Sequence, residues 1–180
     1  MSERAIRRGE PEADPVAQLS LLDRLIDEEP DKPRDPPLSS AESISVLRRS
    51  VRRDLEALLN TRRRWRSWSE GYVELAVSPL GYGISDFSAG AFNDPRRREW
   101  LRSDVEQTIR RFEPRLVRLR VTLMEPKDEL EARLHLRIEG LLRVEPAPEP
   151  IAFDTLVDAA TAEVLVRPGT GEFAQSPGGV

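Results

Sequence analysis

The residue types needed for catalysis are scarce in this 180-residue chain, and their spacing is uninformative. It has no cysteine and a single histidine, His135. Thiolate nucleophiles, disulfides, cysteine metal sites and multi-histidine metal sites are thereby excluded. His135 sits between Leu134 and Leu136 in an alternating run, which predicts a position on the polar, solvent-facing side of a sheet. Two carboxylates facing each other across a cleft could hydrolyse a glycosidic bond, one of them with a raised pKa. Glu70, Glu74, Asp86 and Glu113 supply the carboxylates, but aromatic residues make up only 6% of the chain, too few to suggest a sugar-stacking groove. Gly81-Tyr82-Gly83 lacks the Lys-Ser/Thr pair that would make it a phosphate loop, so a tight turn is expected. The sequence therefore predicts no catalytic residues, no metal and no cofactor.

Charge is the more informative signal. Residues 1–35 hold 6 basic and 10 acidic side chains, whereas residues 44–68 hold 8 arginines against Asp54 and Glu56. Residues 125–180 return to 5 basic and 11 acidic. Such segregation suits docking onto charged partners or pairing within the chain. Arg48, Arg49, Arg52, Arg53, Arg62, Arg63, Arg64 and Arg66, interleaved with Trp65 and Trp68, raise the alternative of an arginine-rich nucleic-acid-binding module. Asp54 and Glu56 interrupt that run, and the net charge of -4 opposes it. A solvated helix face followed by an exposed basic loop at 61–68, docking on protein, is the expected role. No stretch approaches the roughly 18 apolar residues that would cross a bilayer, and the first residues lack the apolar centre of a secretory leader. A cytoplasmic protein without membrane insertion is expected.

The elements that position these groups are legible from periodicity. Residues 1–37 read as a flexible arm. Within it, Leu19, Leu22, Leu25 and Ile26 share one face of an amphipathic helix over 17–27, a candidate docking segment. A linker at 27–37 follows, whose four prolines and five acids preclude regular structure. Ser39 and Glu42 have capping-box spacing and open a long helix with Ile44, Leu47, Val51, Leu55 and Leu58 on its apolar stripe, ending near Asn60. Residues 71–77 alternate and predict a short strand. Asp94-Pro95 starts the second long helix, with Leu101, Val105, Ile109 and Phe112 inward, and Pro114 stops it. Strict alternation then places Val117, Leu119, Val121 and Leu123 inward, followed by Leu130, Ala132, Leu134, Leu136 and Ile138 and, past Gly140, Leu142 and Val144. Residues 151–157 and 163–166 form a hairpin around a turn. The expected fold is α+β, two main helices on one face of a largely antiparallel sheet, with the domain spanning 38–167 and a disordered tail at 168–180. Several short strands without barrel closure should leave a sheet edge available for strand addition.

At the helix–strand junction, Phe112-Glu113-Pro114-Arg115-Leu116 resembles the Glu-Pro-Arg motif of the TssE family and of related contractile-phage wedge proteins. Leu21-Leu22-Asp23-Arg24-Leu25 resembles that family's N-terminal leucine segment. Ser50-Val51-Arg52-Arg53-Asp54-Leu55, leading to Leu58-Leu59-Asn60-Thr61-Arg62, resembles its first core helix. Tyr82-Gly83-Ile84-Ser85-Asp86-Phe87 resembles its Tyr-Gly-x-x-Asp loop. The four fall in the family's order. The resemblance implies a non-catalytic subunit of the cytoplasmic baseplate of a type VI secretion system, with TssF, TssG and TssK as neighbours. It also implies a domain like part of the sheath subunit, on which the TssB–TssC sheath begins to polymerise. Glu113, Pro114, Arg115 and Leu116 would act in that step, and Tyr82, Gly83 and Asp86 would form the family's loop motif.

Overall fold

The computed structural model describes residues 19–26, 31, 38–63, 69, 71–87, 94–125, 133–145, 147–158 and 160–169. Two long helices, α2 (Ser40–Asn60) and α4 (Pro95–Phe112), lie on one face of a four-stranded antiparallel sheet. Its strands are β1 (Leu116–Leu123), β2 (Arg133–Leu142), β3 (Glu149–Asp158) and β4 (Val164–Pro168), in spatial order β1-β2-β3-β4. Two short helices, α1 (Leu21–Leu25) and α3 (Val73–Val77), complete the set, with one 3-10 turn at Pro79–Gly81. The α+β expectation holds.

Local chemistry explains the long helices. Ser39 accepts from the Glu42 amide while Glu42 reaches back to the Ser39 amide, so two of the unpaired donors at the start of α2 are satisfied. Its stripe of Leu47, Val51, Leu55 and Leu58 is buried, with Leu59 beside it. In α4, Asp94 caps the Arg96 amide and Pro95 occupies the first turn. Leu101, Val105 and Ile109 are buried against the sheet, while Phe112 is half-buried, edge-on to Tyr82 at 5.2 Å. From below, the sheet contributes Leu134, Leu136, Ile138 and Leu142 of β2, Ile151, Phe153 and Val157 of β3, and Val164 and Val166 of β4. This is the alternation of a sheet with one covered face.

Several expectations are corrected. The strand expected at 71–77 is the helix α3, with Val73 and Val77 70% and 58% exposed. Seven residues are too few to separate a period of two from an i, i+4 pair, and Glu74, Leu75 and Ala76 are sound helix formers. In β1, Leu116 is buried and Val117 only half-buried. The register shifts between Val117 and Arg120, where Arg118 adopts φ 50 and two residues face Gly140. This β-bulge resets the alternation, so Leu119 and Val121 are buried as expected. A Cβ at Gly140 would lie 3.3 Å from the Val117 carbonyl, a tight contact, so glycine opposite the bulge lets the strands approach without displacement. His135 is half-buried rather than freely exposed, since β2 is flanked by strands on both sides. Pro168 is the last residue of β4, and the Gly169 amide bonds the Ala152 carbonyl. The helix expected over 17–27 is reduced to Leu21–Leu25. The expected strand start at Leu130 and Ala132, and most of the linker and tail, lie outside the described residues.

Candidate functional site

The junction between α4 and β1 is where the sequence motif lies, and its construction is specific. Glu113 ends α4, its amide still bonding the Ile109 carbonyl at 2.8 Å. Pro114 cannot continue the helix, and the Leu116 amide closes the turn onto the Glu113 carbonyl at 3.1 Å. The Glu113 side chain points inward, leaving the residue 4% exposed. Its two carboxylate oxygens take a fork of bonds from Arg115, Nε to Oε1 at 2.6 Å and Nη2 to Oε2 at 2.5 Å. A bidentate guanidinium–carboxylate pair fixes geometry as well as charge.

Arg115 then reaches across to α2. Its Nη2 donates to Asp54 at 2.6 Å and its Nη1 to the Ser50 hydroxyl at 3.2 Å. The Glu113 and Asp54 carboxylates outweigh the cost of burial and hold the Arg115 guanidinium above its ordinary pKa. Ser50, buried in α2, also accepts from Arg53 at 3.3 Å. Arg53 in turn pairs with Asp54 at 3.1 Å and with Asp23 of α1 at 2.9 Å. One polar network thus joins α1, α2 and the α4–β1 corner.

Beside it opens a cleft of about 420 Å³, walled by Leu58, Tyr82, Phe112 and Pro114 and by Ser20 and Leu22 from the α1 segment. Pro114 is exposed, and the Arg115 side chain remains 24% accessible. Burial, followed by the charges of Asp54 and Glu113, pushes the Tyr82 hydroxyl above its usual pKa. The neighbouring loop is fastened to the end of α2. Gly83 takes φ 98, and a Cβ there would lie 2.4 Å from the Thr61 carbonyl. The Ile84 amide bonds that carbonyl and the Arg63 amide bonds Ile84, a short parallel bridge. Arg63 ties Ser85 at 2.6 Å and Asp104 of α4 at 2.9 Å. Arg62 turns inward too, its guanidinium 4.3 Å from the Phe87 ring centre. The first two arginines of the expected exposed basic loop are therefore structural, and residues 64–68 lie outside the described set. Asp86 is exposed.

Both outer edges of the sheet are occupied by helix side chains. On β1, Arg110 donates to the Leu119 carbonyl at 2.6 Å, Arg102 to the Val121 carbonyl at 3.2 Å, and the Val121 amide bonds Glu106 at 3.3 Å. On β4, the Asn60 amide group pairs with Val164 twice, accepting from its N–H at 2.9 Å and donating to its C=O at 2.7 Å. Arg52 approaches the Val166 carbonyl at 3.5 Å, and Pro168 has no N–H to offer. The edge available for strand addition that the sequence suggested is sealed along these residues.

Residues 45–147 match the family described as baseplate wedge protein gp25. The chain belongs to that family. No curated protein matches it. The gp25 match takes in most of α2, the Tyr82–Phe87 loop, α4, the Glu113–Arg115 corner, β1 and β2. It leaves α1, β3 and β4 outside. The structure brings Tyr82, Glu113, Pro114 and Arg115 to one cleft, with Leu22 of α1 at its rim. Leu116 faces the core, and Leu25 and Ile26 stay exposed at 82% and 49%. Leu19 is half-buried. Sequence reasoning missed Ser50 and Asp54 as partners of Arg115. Their i, i+4 spacing beside the apolar stripe of α2 was the available signal. Among the described residues no group of three or more His, Asp or Glu is disposed to hold a metal, and no helix is long and apolar enough to cross a membrane.

Proposed function

We propose that this gp25-family chain is the TssE-type subunit of a type VI secretion baseplate, working in the cytoplasm without catalysis or cofactor. In this reading it docks on the wedge proteins TssF, TssG and TssK and helps start TssB–TssC sheath polymerisation. The observation that carries it is the Glu113–Arg115–Asp54 clasp. It is rigid because the Glu113 carboxylate is buried and gripped by both arms of Arg115, yet it presents Pro114 and part of a guanidinium beside an apolar cleft. The two carboxylates that line the cleft, Glu113 and Asp54, are both bound to Arg115, an arrangement that favours an anchoring role over acid–base work. The arginine-rich nucleic-acid reading has less support, because Arg62 and Arg63 are spent on Phe87, Ser85 and Asp104.

The test is recovery of the tagged chain from its native cells, with partners identified by mass spectrometry. TssF, TssG, TssK or sheath subunits are the expected catch. Nucleic acid or ribosomal material without them, persisting at moderate salt, would sink the proposal.

A further inference from the structure

We propose that α1 is a self-cap: in the free subunit it is strapped over the Glu113–Pro114–Arg115 corner, and it must be lifted before a partner can engage that corner. This rests on the docking role proposed above and adds a control step to it. The geometry points to it in three ways. First, α1 is only five residues long and none of its leucines is buried, so it cannot be stable by itself and is held by specific contacts. Secondly, those contacts are polar and lead into the corner. Asp23 pairs with Arg53 at 2.9 Å with its own side chain only 8% exposed, and the Ser50 hydroxyl serves both Asp23 and Arg115. Ser20 caps the helix through the Asp23 amide, and Ser20 and Leu22 line the cleft opposite Tyr82, Phe112 and Pro114. Thirdly, α1 turns Leu21 and Leu25 to solvent, 76% and 82% exposed, an arrangement that leaves an aliphatic handle on the outside of the strap.

The Asp23 carboxylate titrates below its usual range. Burial works against its charge, but the bonds from Ser20, Ser50 and Arg53 prevail. A partner that takes the leucine face must pull against a charged but partly solvated tie. Such a tie holds by a modest margin and suits a latch better than a permanent joint.

Two measurements test this, and the chain's lack of cysteine makes the second one clean. In hydrogen exchange on the isolated full chain, Asp23→Asn should speed exchange of the α1 amides of Asp23, Arg24 and Ile26 by roughly five-fold. The amides around Val105–Ile109 should not change. Unchanged α1 exchange would overturn the latch whatever the partners do. In the second, Asp23→Cys with Arg53→Cys is bridged by a short, reductant-cleavable thiol cross-linker, and co-purification with co-expressed TssF and TssG is scored. Loss of recovery when bridged, regained on cleavage, supports the self-cap. Equal recovery in both states overturns it while leaving the docking role intact. Failure of the wild-type chain to recover TssF and TssG removes the docking role and the control step with it. Asp23→Asn, which folds without any bridge, should recover at least as much partner as wild type, and reduced recovery counts against the proposal.

Discussion

Glu113 illustrates how much depends on one guanidinium. It is a carboxylate with a 5% exposed side chain, tolerable only because Arg115 is there to neutralise it. Arg115→Ala would strand that charge, together with half of the environment of Asp54, and should cost about 3–5 kcal/mol in urea unfolding. Replacing both partners with apolar residues of similar size, Glu113→Leu with Arg115→Met, should recover most of that loss, since no charge is then left buried. If the motif is also a docking surface, the recovered double variant will fold but fail to support sheath assembly. A double variant that folds and assembles normally would make the pair purely structural. The motif itself was readable in the sequence because proline announces where a helix ends. Its partners were not: the i, i+4 spacing puts Ser50 and Asp54 on one side of α2, but they lie more than 60 residues away in the chain and that spacing does not say which guanidinium will reach them.

At the level of elements, the legible parts are those with enough length to display a period. α2, α4 and β2 run for 21, 18 and 10 residues, and their inward faces match the apolar stripes. α3 and the first residues of β1 were misread because each depends on something local patterns omit. For α3 it is that no strand among the described residues offers it a partner; for β1 it is a bulge set by Arg118 opposite Gly140. The Tyr82–Phe87 loop is held by close backbone approach to the end of α2 as well as by side chains, so Gly83→Ala should be costly. A Cβ there meets the Thr61 carbonyl at 2.4 Å and φ 98 is strained for alanine. A loss of about 3 kcal/mol in chemical denaturation is expected, and a loss under about 1 kcal/mol would mean that the loop is not fastened to α2. The α4–β1 joint makes a pH prediction. Glu106 lies below its ordinary pKa of 4.5: burial opposes its charge, but Arg110, the Val121 amide and Arg102 outweigh it. Its contribution is therefore complete above the unfolded value and is lost as pH falls through the folded one. Glu106→Gln should cost about 1–2 kcal/mol near neutral pH, with the gap from wild type closing as pH falls below the unfolded value of 4.5 and through the lower folded one. A gap that stays constant into acid would mean that charge at Glu106 is irrelevant to the joint.

For the whole molecule the governing feature is that an open four-stranded sheet has two edges, and the helices that cover its face also police both. Unpaired strand edges recruit other chains, so side chains placed on them decide whether the free subunit stays alone. The two seals differ in kind. On β1 three charged residues of α4 reach over the edge, a tie backed by ion pairs at 2.6 Å. On β4 a single neutral amide, that of Asn60, both accepts from and donates to Val164, occupying the sites a neighbouring strand would use. The β4 seal is the weaker, since neither Asn60 bond is charge-assisted and, among the described residues, Arg52 supports it further along at a long 3.5 Å. Asn60→Ala should therefore unseal this edge at a stability cost of only about 1 kcal/mol, because water can solvate the released groups. Asn60→Asp keeps the acceptor for the Val164 amide but sets a carboxylate against its carbonyl, so it should fall between wild type and alanine in amide protection. The expected outcome in sedimentation is a wild-type monomer and a concentration-dependent dimer for Asn60→Ala, with slower exchange at Val164 in the dimer than in the variant monomer. If Asn60→Ala stays monomeric at every concentration, Arg52 and the missing N–H of Pro168 are enough to blunt the edge. An incoming strand would then have to use β1, against the stronger set of ties.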